Sequence, residues 1–402
     1  MSASRSKWKL DWNRWKRLLP IVGAVTVLVI LLFYPLKLLN APAILPQTEK
    51  QSPSTVTSEG EHTSSAPQQG AVSKPPAARV ETVRPSETAH AEDAKSNQMR
   101  TLASLKKVDD YPLYTMTYYG GYDLLASESK AISHIVRTDV PWACSLFIAF
   151  GDAGHAIYGR NFDWDFSPAI LLFTHPPNGY ASVSMVDISY LGFSNNEVAS
   201  LSTTDKRLLD APFLPFDGMN EYGLTVGMAA VNGSKERPPD PRRPTVGSLG
   251  IIRVMLDRAK NTDEAVSLLQ NHNIDFTGGP PLHYLIADPS GHSVTVEFID
   301  GTMQVTQNDT PWQVATNFFI AGASDAAKAQ DSRYATASKW LQQTQGRISP
   351  EEAMGLLKQI NQDITQWSIV YDMGSGDVTV SMARKYETVH KFHLALVYAL
   401  RQ

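Results

Sequence analysis

The chain has 402 residues, 43% hydrophobic and 19% charged, with a formal net charge of −4 and a single cysteine. This composition excludes a wholly disordered or collagen-like chain. One cysteine excludes an intramolecular disulfide and any multi-cysteine metal cage, and the charge balance lacks the strongly basic character of a nucleic-acid binder.

The N-terminus is unlike the rest. Residues 1–17 carry Arg5, Lys7, Lys9, Arg14, Lys16 and Arg17 against Asp11 alone. Leu18 to Leu36 then runs without a charge and is rich in Val, Ile and Leu. That run is long enough to cross a bilayer core of ~30 Å at ~1.5 Å per residue. The basic flank predicts a cytoplasmic tail at 1–17, a signal-anchor helix at 18–38 and an exported remainder. The rival reading is a cleaved signal peptide ending near Ala43, because Ala41-Pro42-Ala43 has small-residue character. Residues 39–100 are mostly Pro, Ser, Thr, Gln, Glu and Ala, with no aromatic residue between Tyr34 and Tyr111. Such a stretch buries too little apolar surface to offset its ordering entropy, so it reads as a disordered linker.

From about residue 101 the pattern is that of a folded domain. Tyr111 to Tyr119 is aromatic and β-branched and ends at Gly120-Gly121, a strand and a turn. Ser145 to Phe150 and His155 to Tyr158 flank Gly151 to Gly154 and read as a hairpin. Further strands are expected at Tyr180 to Tyr190, Leu224 to Val231, Leu282 to Ala287, Ser293 to Phe298 and Gly301 to Thr306. Ser248 to Leu269 has helical apolar spacing with a restart at Asn261-Thr262. Ser349-Pro350-Glu351-Glu352 is a capping box opening a helix to about Ile360. Paired strands with a few amphipathic helices predict an α+β layered fold.

The chemistry centres on Cys144. Arg160 and Asp163 lie in Gly159-Arg160-Asn161-Phe162-Asp163-Trp164, on the far arm of the hairpin that Cys144 precedes. The return of the chain would set a cation and a carboxylate beside the sulfur, and a nearby cation favours thiolate. A thiol nucleophile also needs a base, yet His155, His283 and His292 sit in no motif that selects one. Cutting the Ala143–Cys144 bond would create another base. The α-amine so freed has an ordinary pKa of about 7.7–8.0, which suits general-base work near neutral pH.

Cys144 followed by Gly159 to Trp164 at this spacing resembles the choloylglycine hydrolase family of N-terminal-nucleophile (Ntn) hydrolases. That family includes bile salt hydrolases and penicillin V acylases, with the acid ceramidases and N-acylethanolamine acid amidases as a further branch. Asp217 to Leu224, Leu282 to Asp288, Ala315-Thr316-Asn317 and Asp331 to Tyr334 resemble its later motifs, in order. The resemblance implies a four-layer αββα sandwich at 144–402. It implies that Cys144 is the nucleophile, with Arg160 and Asp163 holding its sulfur and amine. Asn317 would be an oxyanion donor and Arg333 an electrostatic support. Asn232, Asn220 and Trp164 are candidates for further oxyanion or pocket positions. Ala230 stands where bile salt hydrolases place a second oxyanion asparagine. The long segment before Cys144 resembles the ceramidase branch, and so 101–143 would be a pro-segment that stays docked after self-cleavage.

The expected activity is hydrolysis of a linear amide by a membrane-tethered, extracytoplasmic enzyme without a cofactor or metal. Its partners would be an amide with an apolar acyl group, resembling an N-acyl amide, a bile salt or penicillin V, and the bilayer through 18–38. A homo-oligomer is left open, and nucleic acid is not expected. An acyltransferase of the same fold, a papain-like thiol hydrolase and a non-enzymatic envelope binding module are the alternatives.

Overall fold

The computed structural model of the chain describes residues 87–123, 143–277 and 279–397. The basic tail, the anchor segment and the linker up to residue 86 lie outside the described residues. Among the described residues, no helix is long and apolar enough to cross a membrane.

Helix α1 (Glu87–Ala103) opens the described chain. It corrects the expected linker, which ran to residue 100. Glu87 to Ala103 contains no proline or glycine and is rich in Ala, Glu, Lys, Gln, Met and Arg, residues of good helix propensity. Its C-terminal end is anchored by tertiary bonds that composition does not report. Thr101 Oγ1 accepts from Tyr119 N at 2.9 Å, Ser104 Oγ accepts from Thr117 N at 2.9 Å, and the Arg100 guanidinium lies 4.0 Å from the Tyr119 ring centroid.

Strands β1 (Lys106–Asp109) and β2 (Leu113–Tyr118) follow. The hairpin β3 (Ser145–Asp152) and β4 (His155–Asp163) comes next, as expected from its turn residues. Then come β5 (Ala169–Thr174), β6 (Ser182–Asp187), β7 (Pro215–Asn220), β8 (Thr225–Ala230) and the short β9 (Thr245–Gly247). The predicted break at Asn261-Thr262 separates α2 (Gly250–Arg258) from α3 (Thr262–Asn271), where the Asn261 side chain caps by accepting from Glu264 N. Beyond β10 (Asn273–Asp275) lie β11 (Leu282–Ala287), β12 (Ser293–Ile299), β13 (Thr302–Gln307) and β14 (Trp312–Ala315). The chain continues through α4 (Asp325–Gln330), α5 (Ser332–Thr344) and α6 (Pro350–Gln359) to β15 (Thr365–Asp372), β16 (Asp377–Met382) and β17 (His390–His393). Both halves of the predicted capping box at Ser349 and Glu352 are present at the start of α6.

Among the described residues, the strands form a nine-stranded sheet ordered β1-β2-β5-β6-β7-β8-β11-β12-β13, a six-stranded sheet ordered β14-β3-β4-β15-β16-β17, and the small pair β10-β9. Pairing in the two large sheets is antiparallel except between β2 and β5. Helix α2 packs on β7 and β8, whereas α5 and α6 pack on β3, β4, β14 and β15. The sheets meet face to face: Phe162 stacks on Trp367 at 3.9 Å within the smaller sheet and meets Phe216 of the larger edge-on at 5.2 Å. Helices thus flank two facing sheets, a layered, sheet-rich mixture of helices and strands.

Two features place the site. β1 and β2, from the chain before Cys144, form one end of the nine-stranded sheet, with β1 at its edge. The antiparallel hairpin of β3 and β4 pairs Leu146 with Arg160 and Ser145 with Asn161, which returns Arg160 and Asp163 to the level of Cys144. Gly159 permits that register, because a Cβ there would sit 2.4 Å from the Phe147 ring.

Candidate active site

Cys144 lies one residue before β3 and is fully buried. Arg160 Nη2 donates to its Sγ at 3.7 Å. The guanidinium is itself fully buried, and Nη1 donates to the Phe216 carbonyl at 2.6 Å and to Asp217 Oδ2 at 2.5 Å. Tyr371 Oη donates to the other oxygen of Asp217 at 2.5 Å. Burial works against the Arg160 charge, but Asp217 and the Cys144 sulfur outweigh it, so this guanidinium stays charged. Burial also raises the Cys144 thiol above its ordinary pKa, with Arg160 opposing part of that rise. The sulfur is thus a covered thiol with a fixed cation beside it.

Asp163 closes the other side. Burial pushes its carboxyl up to about 6 against hydrogen bonds from Thr365 and Gln362 and the charges of Arg333 and Arg160. Thr365 Oγ1 donates to Asp163 Oδ1. Gln362 Nε2 donates to Asp163 Oδ2 at 2.9 Å and to the carbonyl of Ala143 at 3.2 Å. The backbone of Ala143 donates to the Asp163 carbonyl at 3.2 Å.

Arg333 approaches from the first turn of α5. Asp331 caps that helix by accepting from the backbone of Arg333 and Tyr334, and it also accepts from Arg333 Nη2 at 2.9 Å. The cap thus aims the guanidinium inward. Its Nη1 donates to the Cys144 carbonyl at 2.8 Å and to Asn317 Oδ1 at 3.1 Å, and it stands 3.8 Å from Asp163 Oδ2. Asn317, just past β14, donates from Nδ2 to the Ala230 carbonyl at 2.8 Å. One amide hydrogen of Asn317 is committed there, and the second is left for another acceptor. The loop carrying Asn317 is held by the fully buried Glu297, which accepts from Ile320 N at 2.7 Å and Ala321 N at 2.6 Å.

Cys144, Arg160, Asp163, Asn317 and Arg333 are therefore brought together, whereas Asn220 serves a turn. Asn220 closes the turn between β7 and β8 by accepting from Tyr222 N and Leu224 N, while its Nδ2 donates to the Leu256 and Ala259 carbonyls at 2.9 and 2.7 Å. It ties that hairpin to the C-terminal end of α2, whose last carbonyls need donors. Asn232 is exposed in the turn after β8, while the Ala230 carbonyl faces Asn317. Trp164 follows Asp163 and is fully buried in the core cluster that also holds Cys144. Replacing Asn220 by alanine is expected to cost roughly 2 kcal/mol or more through the polar groups it leaves unpaired, with the specific activity of the folded protein unaltered. Denaturant unfolding set beside turnover checks this.

Sequence reasoning missed Asp217, Gln362, Thr365 and Asp331 as members of the site. Asp217 and Asp331 stood inside motifs already singled out, but their partners lie far along the chain. The three histidines weighed as bases make their polar contacts elsewhere: His155 with Asp372, His283 with Glu297 and His292 with Asp263. Among the described residues, none is bonded to Cys144, Asp163 or Arg333, so a papain-like pairing finds no base there. No group of three His, Cys, Asp or Glu side chains among the described residues suits a metal ion.

Residues 144–318 match the family model described as linear amide C-N hydrolases, choloylglycine hydrolase family. Among curated relatives, an uncharacterised protein of Paramecium bursaria Chlorella virus 1 is 28% identical over 137 residues, 32% of this chain and 46% of that protein. The penicillin V acylase of Pectobacterium atrosepticum is 24% identical over 192 residues, 44% of this chain and 50% of that protein. The chain thus spans about half the length of the curated relatives it matches. Among solved structures, the penicillin V acylase of Agrobacterium tumefaciens aligns at 19% identity and TM-score 0.44, over 62% of this chain and 86% of that one. A variant of the conjugated bile acid hydrolase of Clostridium perfringens aligns at 15% identity and TM-score 0.45, over 63% and 92%.

Proposed function

We propose that this chain, which over residues 144–318 belongs to the choloylglycine hydrolase family of linear amide C–N hydrolases, is a cysteine amidase that matures by cutting itself before Cys144. The observation that carries the reading is the treatment of the peptide around Cys144. Its sulfur faces Arg160, its carbonyl takes Arg333, the preceding carbonyl takes Gln362, and the backbone carbonyl of Asp163 accepts from Ala143 N.

In the mature enzyme the freed α-amine takes the thiol proton. The thiolate beside Arg160 attacks the substrate carbonyl, and the remaining hydrogen of Asn317 Nδ2 meets the oxyanion. The amine then protonates the leaving nitrogen, and water releases the acyl group. A preorganised donor aimed at developing charge is worth about 2.7–4 kcal/mol of the barrier. Cys144 is fully buried in the uncut chain, so the two chain ends made by the cut must part locally before a substrate reaches the sulfur. Phe318 and Phe319 lie half-buried next to Asn317. Their placement supports a substrate with an apolar acyl part, such as an N-acyl amide, a conjugated bile salt or penicillin V.

The front piece remains docked after the cut, since β1 and β2 are hydrogen-bonded into the larger sheet. The basic run at 1–17 and the apolar run at 18–36 support tethering to a membrane, with the catalytic domain outside the cytoplasm.

Intact-mass analysis of the purified chain, paired with hydrolysis of penicillin V, glycocholate and a long-chain N-acyl amide, tests the reading. The expected result is a fragment beginning at Cys144 whose abundance tracks the rate of hydrolysis. An active preparation containing only uncut chain would overturn it.

A further inference from the structure

We infer that Gln362 is the oxyanion donor for the self-cleavage step, a catalytic residue of maturation. This deepens the reading above and rests on it. Two carbonyls flank the nitrogen of Cys144, and the side chains divide between them. Arg333 serves the carbonyl of Cys144 itself at 2.8 Å, on the side that remains after cleavage. Gln362 Nε2 serves the carbonyl of Ala143 at 3.2 Å, the one whose carbon must be attacked.

The orientation of the Gln362 amide follows from its partners. Asp163 Oδ2 and Ala143 O are both acceptors, so the end of the side chain that faces them must be the NH₂ group. The backbone around it is also fixed. Gln362 lies in the turn between α6 and β15, where its N donates to Thr365 Oγ1 at 2.9 Å and its carbonyl accepts from Thr365 N at 3.0 Å. Thr365 Oγ1 in turn donates to Asp163. The donor is therefore held in place before charge develops, which is the condition for electrostatic stabilisation of a transition state.

The step balances as follows. Sγ of Cys144 adds to the carbonyl carbon of Ala143, and the carbonyl π electrons move onto oxygen, where one hydrogen of Gln362 Nε2 meets them. Asp163 takes the thiol proton and returns it to the departing nitrogen as the carbon–nitrogen bond breaks. The product is an Ala143 thioester on the sulfur and a free amine on Cys144. Water then adds to the thioester, releasing the Ala143 carboxyl group and restoring the thiol.

The test compares the conversion rate of full-length precursor by intact mass for the parent chain, Gln362→Met and Gln362→Glu. Both substitutions keep the length of the side chain; Met removes the donor outright, and Glu replaces it with a carboxyl that donates only while protonated. Removing one such donor is expected to slow conversion about 10²–10³-fold, with added hydroxylamine, which captures thioesters, failing to restore the parent rate. Thr365→Val serves as a companion: it strips a donor from Asp163 and a side-chain acceptor from the backbone of Gln362, but it keeps the carbonyl donor itself, and it should slow conversion less. Should either Gln362 variant unfold in a melting measurement, Gln362→Asn takes its place, with the donor drawn back by one methylene. Conversion of the folded variants within about threefold of the parent would overturn the role of Gln362 alone. A parent chain that never converts would overturn the maturation reading itself, and this role with it.

Discussion

Cys144→Ala is expected to yield a folded, uncut chain whose amidase activity is lower by at least about 10⁴-fold. The argument joins sequence and packing. This is the only cysteine in the chain, so no second thiol can take over. The residue is small and fully enclosed, and deleting one buried sulfur costs on the order of 1 kcal/mol, well inside the stability of a domain of this size. Loss of activity would therefore not be loss of fold. Serine is the more instructive change. Its hydroxyl keeps the shape, but it is far harder to ionise than a thiol, so the Arg160 charge gains little to stabilise. Cys144→Ser should remain mostly uncut and be slower by several orders of magnitude. The checks are a melting curve, an intact mass and hydrolysis of penicillin V for each variant. Near-parental turnover by Cys144→Ala would remove the nucleophile assignment at once.

The second large effect is expected at the buried pair of Arg160 and Asp217. Both side chains have no solvent exposure. Removing only the cation, as in Arg160→Met, strands the Asp217 carboxylate in the space between the sheets. Breaking a buried pair on one side costs about 3–5 kcal/mol, which lowers the melting temperature on the order of 10 °C for a domain of this length. The same change removes the cation 3.7 Å from the Cys144 sulfur, so self-cleavage and hydrolysis should both fall. The double variant Arg160→Met with Asp217→Leu separates the two roles. An apolar replacement of the whole pair restores most of the stability, because neither charge is then left without a partner. It does not restore the thiolate, so activity stays low. Recovery of activity together with stability would mean that Arg160 is a structural residue only.

The legible part of the site was the part that is close in sequence. Arg160 and Asp163 could be placed near Cys144 because a tight hairpin has only one way to return, and strand alternation then settles which side chains face which layer. Arg333 and Asn317 were reached through motif resemblance alone. Nothing local says that the first residues of α5 point at a carbonyl 189 positions earlier in the chain. Asp217 and Gln362 were out of reach for the same reason. Their decisive bonds join positions separated by 57 and 199 residues.

The elements divide in the same way. The capping box of α6 and the restart between α2 and α3 were readable because a cap is a local hydrogen bond between a side chain and a backbone amide three residues on. Strand β15 was not readable. All eight of its residues are buried, so the alternation that marks a half-exposed strand is absent. Helix α1 was mistaken for linker because an exposed helix of Ala, Glu and Lys has the composition of a disordered segment. What distinguishes it is the docking of its last turn through Thr101 and Ser104.

Sequence alone thus determined the chemistry available to this protein: one thiol, a cation and a carboxylate on a hairpin beside it, and a layered α+β scaffold around it. These are matters of residue type and short spacing, for which backbone geometry leaves few alternatives. Tertiary structure decided which distant polar groups complete the site and which carbonyl each one serves, and it assigned Asn220 to a structural duty. Those choices follow from packing two sheets face to face, because a buried polar group must find its partner wherever the fold brings one within reach.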